Sequence, residues 1–87
     1  MTITVEFFGI ARKRAGLSSI EIDADSVGAA FDLLTVRMPH WAEACLDDGQ
    51  LTNSLIANIN THTFVTARNH PLNDGDHLLI LAADVGG

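Results

Sequence analysis

The sequence has 87 residues, of which 47% are apolar and 18% are charged, a composition typical of one small globular domain and not of a disordered chain. Eleven acidic against five basic residues give a formal charge of -6, which argues against nucleic acid and anionic membrane surfaces as partners. The single cysteine, Cys45, excludes an internal disulfide, and no segment resembles a signal peptide or a membrane span, so the expected compartment is the cytoplasm.

Residues 2–8 are predicted to form a strand, which ends at Gly9. Ile3, Val5 and Phe7 alternate with more polar residues, which is the period-two pattern of a half-buried strand. Phe8 is an apolar residue on the otherwise polar face. Residues 10–15 carry three of the five basic residues and are predicted to form a solvated loop. A second strand at 19–23 would then pair with the first as an antiparallel hairpin.

The clearest helix is predicted to begin after Ser26, whose hydroxyl is suited to an N-cap, and to end before Pro39. Its apolar residues recur on a 3.6-residue period and form one stripe: Val27, Ala30, Phe31, Leu34 and Met38. A shorter helix over residues 40–46 is expected to end at the turn of residues 47–49. Cys45 lies in this helix and is expected to be a buried apolar residue.

Three further strands are predicted in the second half of the chain. Residues 55–59 alternate, residues 60–62 form a turn, and a brief strand follows at residues 64–65. The loop at residues 70–76 is rich in breakers and leads into an apolar run at residues 78–82.

The last strand is apolar on both faces, although a domain of this size has helices to cover only one. With Leu78, Ile80 and Ala82 facing the helix, Leu79 and Leu81 are left on the outer face. Phe8 of the first strand is expected beside them. Such a patch predicts a docking surface.

No catalytic constellation is predicted within the chain. The four histidines are scattered without the spacing of a metal site, so no metal site is predicted. The nucleotide-binding and nucleophile-elbow motifs are absent from the sequence. If the protein takes part in chemistry, its carboxyl terminus is therefore the reacting group.

The last five residues, 83–87, are predicted to form an extended tail that ends in Gly86 and Gly87. Neither glycine has a Cβ, so the tail fits a gap too narrow for side chains. Five extended residues reach on the order of 17 Å, enough to enter the active site of another protein. An ATP-dependent partner would be needed to turn the inert carboxylate into an acyl-adenylate.

The order of these segments resembles a known family, the small sulfur-carrier subunit of molybdopterin synthase and its relatives. The resemblance covers nearly the whole chain and is carried by these residues: Val5-Glu6-Phe7-Phe8-Gly9-Ile10-Ala11-Arg12, Gly16, Ser26-Val27, Trp41, Leu46, Asp48-Gly49, Ile59-Asn60, His70-Pro71-Leu72-Asn73-Asp74-Gly75-Asp76 and Gly86-Gly87. It implies an α+β, ubiquitin-like β-grasp domain over residues 1–82, with a mixed sheet of about four to five strands packed on one main helix. Residues 83–87 would form the reactive tail.

The resemblance also implies a function. A ubiquitin-activating-type enzyme would use ATP to adenylate Gly87, which becomes a thiocarboxylate, while Gly86 permits entry into the large catalytic subunit of molybdopterin synthase. The sulfur would pass to a pterin precursor, and the chain itself would bind no cofactor. The expected partner-binding residues are Phe8, Arg12, Leu79, Leu81, Ala83, Asp84 and Val85.

Three alternatives stay open at the level of the sequence. Before the glycines this chain has Leu81-Ala82-Ala83-Asp84, where family members often have aromatic and proline residues. The sulfur acceptor could thus belong to thiamine synthesis or to another sulfur metabolite. A ubiquitin-like protein modifier and a non-reactive interaction module are the other two classes.

Overall fold

The computed structural model describes residues 1–83, which form a mixed sheet with helices packed on one side. The elements in chain order are β1 (Thr2–Phe7), α1 (Gly9–Ala15), β2 (Ser19–Asp23), α2 (Val27–Arg37), α3 (Pro39–Cys45), β3 (Leu46–Asp47), β4 (Gln50–Leu51), β5 (Leu55–Ile59), β6 (Thr63–Val65) and β7 (His77–Ala82). The predicted strands and the two predicted helices are therefore present, with one additional helix and one additional small hairpin.

Five of the strands form the main sheet in the order β2-β1-β7-β5-β6. The predicted hairpin of β1 and β2 is antiparallel, with Ile3 opposite Ile22. The two central strands, β1 and β7, are parallel, with Val5 opposite Leu78. The short strands β3 and β4 form a separate hairpin. The last strand of the domain thus lies in the middle of the sheet, between β1 and β5.

The core lies between one face of this sheet and the helices. Alternate residues of the strands are buried there, and α2 adds its apolar stripe, led by Phe31 and Leu34. The hydroxyl of Ser26 accepts a hydrogen bond from the N–H of Ala29 at 3.1 Å, which confirms the predicted N-cap of α2. Cys45 is a free, fully buried thiol, as predicted.

Helix α1 replaces the loop that was predicted for residues 10–15. Its sequence has no apolar stripe, and a helix of seven residues needs tertiary contacts to form. Trp41 of α3 supplies one of them, because its indole Nε1–H donates to the carbonyl of Ala11 at 3.2 Å while Ala11 is fully buried. Gly16 ends the helix in the left-handed region, at a φ of 75°, and donates to the carbonyl of Arg12.

No helix within residues 1–83 is long and apolar enough to cross a membrane.

Candidate docking face and the start of the tail

The side of the sheet opposite α2, here called the outer face, carries a row of four residues in register. Glu6 of β1 lies opposite Leu79 of β7, and Leu79 lies opposite Asn58 of β5. Asn58 in turn lies opposite Phe64 of β6, which is 63% exposed. The row runs across four neighbouring strands, with apolar residues at its middle and at its β6 end.

A second apolar row lies one step further along the strands, toward the end of β7. Leu81 is opposite Ile56, and both are partly exposed. Phe8 follows β1 directly, donates its N–H to the carbonyl of Ile80 at 2.9 Å and is 43% exposed. The structure therefore brings Phe8, Leu79 and Leu81 to one region, while their role in binding a partner stays a prediction.

Sequence reasoning missed Ile56 and Phe64 as members of this face. Each is an apolar residue out of phase with the buried alternation of its strand, and this was the available signal. Their position beside Leu81 and Leu79 depends on strand order, which the sequence does not specify locally. Together these residues make an apolar area over β5, β6 and β7.

The polar groups of the outer face differ in whether they have a hydrogen-bond partner. His77 Nδ1 lies 2.7 Å from Glu6 Oε1, so the two side chains pair across β1 and β7. Asn58 is only 6% exposed, and its Oδ1 is buried without a hydrogen-bond partner within residues 1–83. Such an unsatisfied acceptor costs free energy, and it lies in the middle of the apolar area.

The predicted tail begins beside this area. Ala82 of β7 lies opposite Leu55, and Ala83 donates its N–H to the carbonyl of Ser54 at 2.9 Å. Ala83, predicted as the first tail residue, is thus still bonded to the chain next to β5. The other predicted tail residues lie outside the described residues: Asp84, Val85, Gly86 and Gly87.

Helix α1 lies at the same end of the sheet as the start of the tail, because β1 and β7 run parallel and α1 follows β1 directly. The helix carries Arg12, Lys13 and Arg14, all of them exposed. Arg14 donates to the carbonyl of Ala44 at 3.3 Å. Arg12, predicted to bind a partner, therefore belongs to a basic helix near Phe8 on a chain that is acidic overall.

Asp76 fastens the turn between β5 and β6 to the start of β7. Its carboxylate accepts the N–H of Asn73 at 2.8 Å and the side-chain amide of Asn60 at 3.0 Å. The hydrogen bond from Asn73 lowers the pKa of Asp76 most, and the one from Asn60 lowers it further. Asp74 accepts the N–H of Thr2 at 2.8 Å. Both carboxylates have structural partners.

The residues in the described part of the chain include no group of three or more metal-ligating side chains arranged to hold an ion. The side chains of the outer face and of α1 suit association with a protein surface better than acid/base or nucleophilic chemistry. The chemistry of the site would thus rest on the tail, and the described residues would position it.

Three solved structures place this arrangement among known proteins. SAMP1 from Haloferax volcanii matches with a TM-score of 0.82 and 23% identity, over 100% of both chains. A chain of the BexX/CysO complex from Amycolatopsis orientalis matches with a TM-score of 0.79 and 25% identity, over 98% of this chain and 99% of that one. A chain of the complex of subunits 1 and 2 of molybdopterin-converting factor from Helicobacter pylori matches with a TM-score of 0.71 and 23% identity, over 100% of both.

No protein-family model and no curated protein sequence matches the chain. At these identities the structural likeness shows a shared fold. It confirms the predicted α+β domain with a mixed sheet packed on a main helix, and it confirms the resemblance on which that prediction was based.

Proposed function

We propose that this chain, a ubiquitin-like β-grasp protein, is a sulfur carrier whose Gly87 is converted to a thiocarboxylate. The observation that carries the proposal is the placement of an exposed apolar area directly beside Ala83, where the Gly-Gly tail begins. A partner that binds Leu79, Leu81 and Phe8 would receive the tail at a fixed distance and direction. Binding energy from the outer face would then position the reacting carboxyl.

The chemistry divides between the chain and its partners. The Gly87 carboxylate attacks the α-phosphorus of ATP in the active site of a ubiquitin-activating-type enzyme, pyrophosphate leaves and an acyl-adenylate forms. Sulfide-level sulfur, as HS⁻, then attacks the carbonyl carbon of the adenylate, a C–S bond forms, AMP leaves with the electron pair of the broken C–O bond, and loss of the proton leaves the thiocarboxylate. The activating enzyme supplies the charge stabilisation for these steps. The chain supplies an unhindered carboxyl, because neither Gly86 nor Gly87 has a side chain.

The acceptor that we propose is the pterin precursor of the molybdenum cofactor, reached through the large subunit of molybdopterin synthase in the cytoplasm. Two findings support a heteromeric partner. Two of the matching structures are complexes with a second protein, and one of these is a molybdopterin-converting factor. The outer face also leaves partly buried apolar residues uncovered on an isolated chain, as a face that another subunit covers would do.

The test is the intact mass of the chain after incubation with an activating enzyme, ATP and a sulfur donor. The expected result is the mass gain of one sulfur in place of one oxygen. A chain that lacks Gly87 is the matched control and should gain nothing. An unchanged mass of the full chain, with an enzyme that modifies its own carrier in the same assay, would show the proposal to be wrong.

A second candidate, a ubiquitin-like modifier, is favoured by the similarity to SAMP1, which is described as a small archaeal modifier protein. In that case activated Gly87 would be attached to lysines of other proteins. Conjugates that carry the chain in cell extracts would support this function. Recovery of the free thiocarboxylate without conjugates would support the carrier, and the identity of the sulfurated product would then separate molybdopterin from thiamine or another metabolite.

A further inference from the structure

The basic residues of this chain are concentrated on the helices. Four of the five belong to α1 and to the end of α2, and both helices contact α3: Arg12, Lys13, Arg14 and Arg37. The fifth, Arg68, is paired with Asp32 at 2.8 Å. None of the eleven acidic residues lies in α1. A chain with a formal charge of -6 therefore has a positively charged region on its helix side.

A cleft of about 240 Å³, here called the helix cleft, lies where the end of α1, the end of α2 and the start of α3 meet. Polar side chains at its rim and apolar side chains at its floor define it: Arg14, Arg37 and His40 at the rim, and Leu17, Met38 and Trp41 at the floor. Leu17 is 39% exposed, although it is a large apolar residue. The helix cleft thus combines two cations with an uncovered apolar surface.

The two arginines of the helix cleft are available to a ligand. Arg14 donates to the carbonyl of Ala44 at 3.3 Å, which fixes its guanidinium at the rim and uses one of its N–H groups. Arg37 takes part in no hydrogen bond or ion pair within residues 1–83 and is exposed. Both guanidinium groups can therefore still donate to an added acceptor.

No carboxylate of the described residues 1–83 lines the helix cleft. The nearby acidic residues Glu43 and Asp48 line a separate depression beyond Pro39. A cation in the last turn of a helix is stabilised by the helix dipole, which accounts for Arg37 on α2 alone. The dipole does not account for two helices that bring arginines to the same apolar cleft.

This combination favours an acidic peptide over other anions. Carboxylates form paired hydrogen bonds with guanidinium groups, and an apolar side chain between them would cover Leu17 and Met38. Single-stranded nucleic acid binds by stacking its bases on exposed aromatic rings, whereas Trp41 is only 1% exposed. The negative charge of the whole chain also disfavours a long phosphate backbone.

We propose that the helix cleft binds an acidic segment of a partner protein. Carboxylates of the segment pair with Arg14 and Arg37, and an apolar side chain of the segment packs on Leu17. The cleft lies on the helix side of the sheet, opposite the outer face, so both surfaces can be occupied at the same time. This inference goes beyond the proposed sulfur carrier and does not depend on activation of Gly87.

The test measures fluorescence polarisation of a labelled peptide, EEDLLDEE, as the folded full chain is added. Two control peptides separate charge from apolar contact: QQNLLNQQ removes the carboxylates, and EEDSSDEE removes the leucines. Each control should bind about tenfold more weakly than EEDLLDEE. Equal binding of QQNLLNQQ, or no binding of EEDLLDEE at about 1 mM chain, would overturn the proposal.

Variants of the chain locate the binding site. Arg37→Gln and Arg14→Gln should each weaken binding of EEDLLDEE about two- to fivefold. Arg37→Gln breaks no contact within residues 1–83, so its effect cannot come from unfolding. Lys13→Gln is the matched control, since it removes one charge from α1 outside the cleft. An equal loss of affinity in Lys13→Gln and Arg37→Gln would show general attraction and overturn the proposed site.

Two further measurements distinguish other surfaces and other ligands. Amide chemical shifts on addition of EEDLLDEE should change around Leu17 and at residues 37–41, and Leu81→Glu should bind the peptide as the wild type does. Changes that gather at Phe64, Leu79 and Leu81 instead would place the peptide on the outer face and overturn the proposal. Equally tight binding of an oligothymidine of matched charge would also overturn it, because the cleft would then not select peptides.

The peptide assay contains no activating enzyme, ATP or sulfur donor, so its outcome is independent of the sulfur assay. Peptide binding without sulfur gain at Gly87 would reject the carrier function alone. Sulfur gain without peptide binding would reject the helix cleft as a binding site and leave the carrier function intact.

Discussion

Asn58 is a polar residue of the outer face whose burial lowers the stability of the folded chain. It lies between Leu79 and Phe64 in the register of the sheet, is 6% exposed, and has an Oδ1 without a partner in the described part of the chain. A buried acceptor in this state loses its hydration without gaining a hydrogen bond. A leucine of similar size would fit the apolar surroundings better.

We therefore expect Asn58→Leu to raise the free energy of unfolding by about 1 kcal/mol, the usual scale for a buried unsatisfied group. Urea unfolding followed by tryptophan fluorescence measures it, since Trp41 is buried in the core. Asn69→Leu makes the same chemical change at an exposed position and should alter stability by less than about 0.5 kcal/mol. A loss of stability in Asn58→Leu would mean that Oδ1 does have a partner, such as an internal water.

At the scale of the elements, α1 depends on α3. The ring of Trp41 packs edge-on against Phe7 with centroids 5.2 Å apart, and its Nε1–H donates to the carbonyl of Ala11. One side chain thus connects α3 to both β1 and α1. Because α1 carries Arg12 and Lys13, the position of the basic cluster relative to the sheet follows from this contact.

Trp41→Phe should remove the hydrogen bond from Nε1 to the Ala11 carbonyl, leave a gap beside Phe7, and lower the free energy of unfolding by about 1–3 kcal/mol. Hydrogen exchange should rise more in α1 than in α2, because α2 has its own cap and stripe. His40→Phe, on the exposed side of α3, is the control and should leave the exchange of α1 unchanged. Equal increases in both helices would indicate that Trp41 supports the core as a whole.

Asp76 makes the joint between the β5–β6 turn and β7 dependent on pH. Its pKa in the folded chain is below the usual 3.8, so the folded state favours the carboxylate form. The stabilisation is present above about pH 4 and is lost as the pH falls through the lowered pKa. Asp76→Asn should therefore be less stable than the wild type at neutral pH, and the difference should shrink in acid.

Urea unfolding of both chains at neutral and acidic pH measures this difference. Asp47→Asn is the matched control, since Asp47 is exposed and its side chain has no hydrogen bond within residues 1–83. A difference between Asp76→Asn and wild type that stays constant across the pH range would falsify the assignment to the ionised carboxylate.

At the scale of the molecule, alternate residues of β7 have different roles, one set in the core and the other on the candidate docking face. Leu78 and Ile80 are fully buried toward the helices, while Leu79 and Leu81 remain partly exposed on the outer face. One strand thus supplies both the core and the candidate docking face, and adjacent positions are expected to respond differently to the same substitution.

Leu81→Glu should leave the thermal unfolding temperature within a few degrees of wild type and abolish binding to the proposed partner, the large synthase subunit, measured by calorimetry. Ile80→Glu, one residue away, should prevent folding because it buries an unpaired charge. Val36→Glu, at a site that is 77% exposed on α2, should affect neither property. Binding retained by Leu81→Glu would exclude the outer face as the docking surface.

Local patterns predicted most of the elements and only part of the face. The alternation of β1 and the stripe of α2 are local signals, and both predictions are confirmed. Helix α1 was missed because what holds it is Trp41, thirty residues away in sequence. The neighbours of Leu79 and Leu81 depend on β5 and β6, whose pairing is set by contacts across the whole chain. The chemistry of the tail was inferred from Gly86 and Gly87 themselves and stays a prediction.

The central place of β7 also matters while the chain is being synthesised. β1 is made first, yet its parallel partner is β7, and Thr4 pairs with His77. Until the ribosome has released residues 77–82, the sheet lacks its middle strand, β7. Helix α1 then also lacks the strand that it contacts. A growing chain therefore displays no outer face to a partner, which would recognise this protein only when translation has passed the last strand.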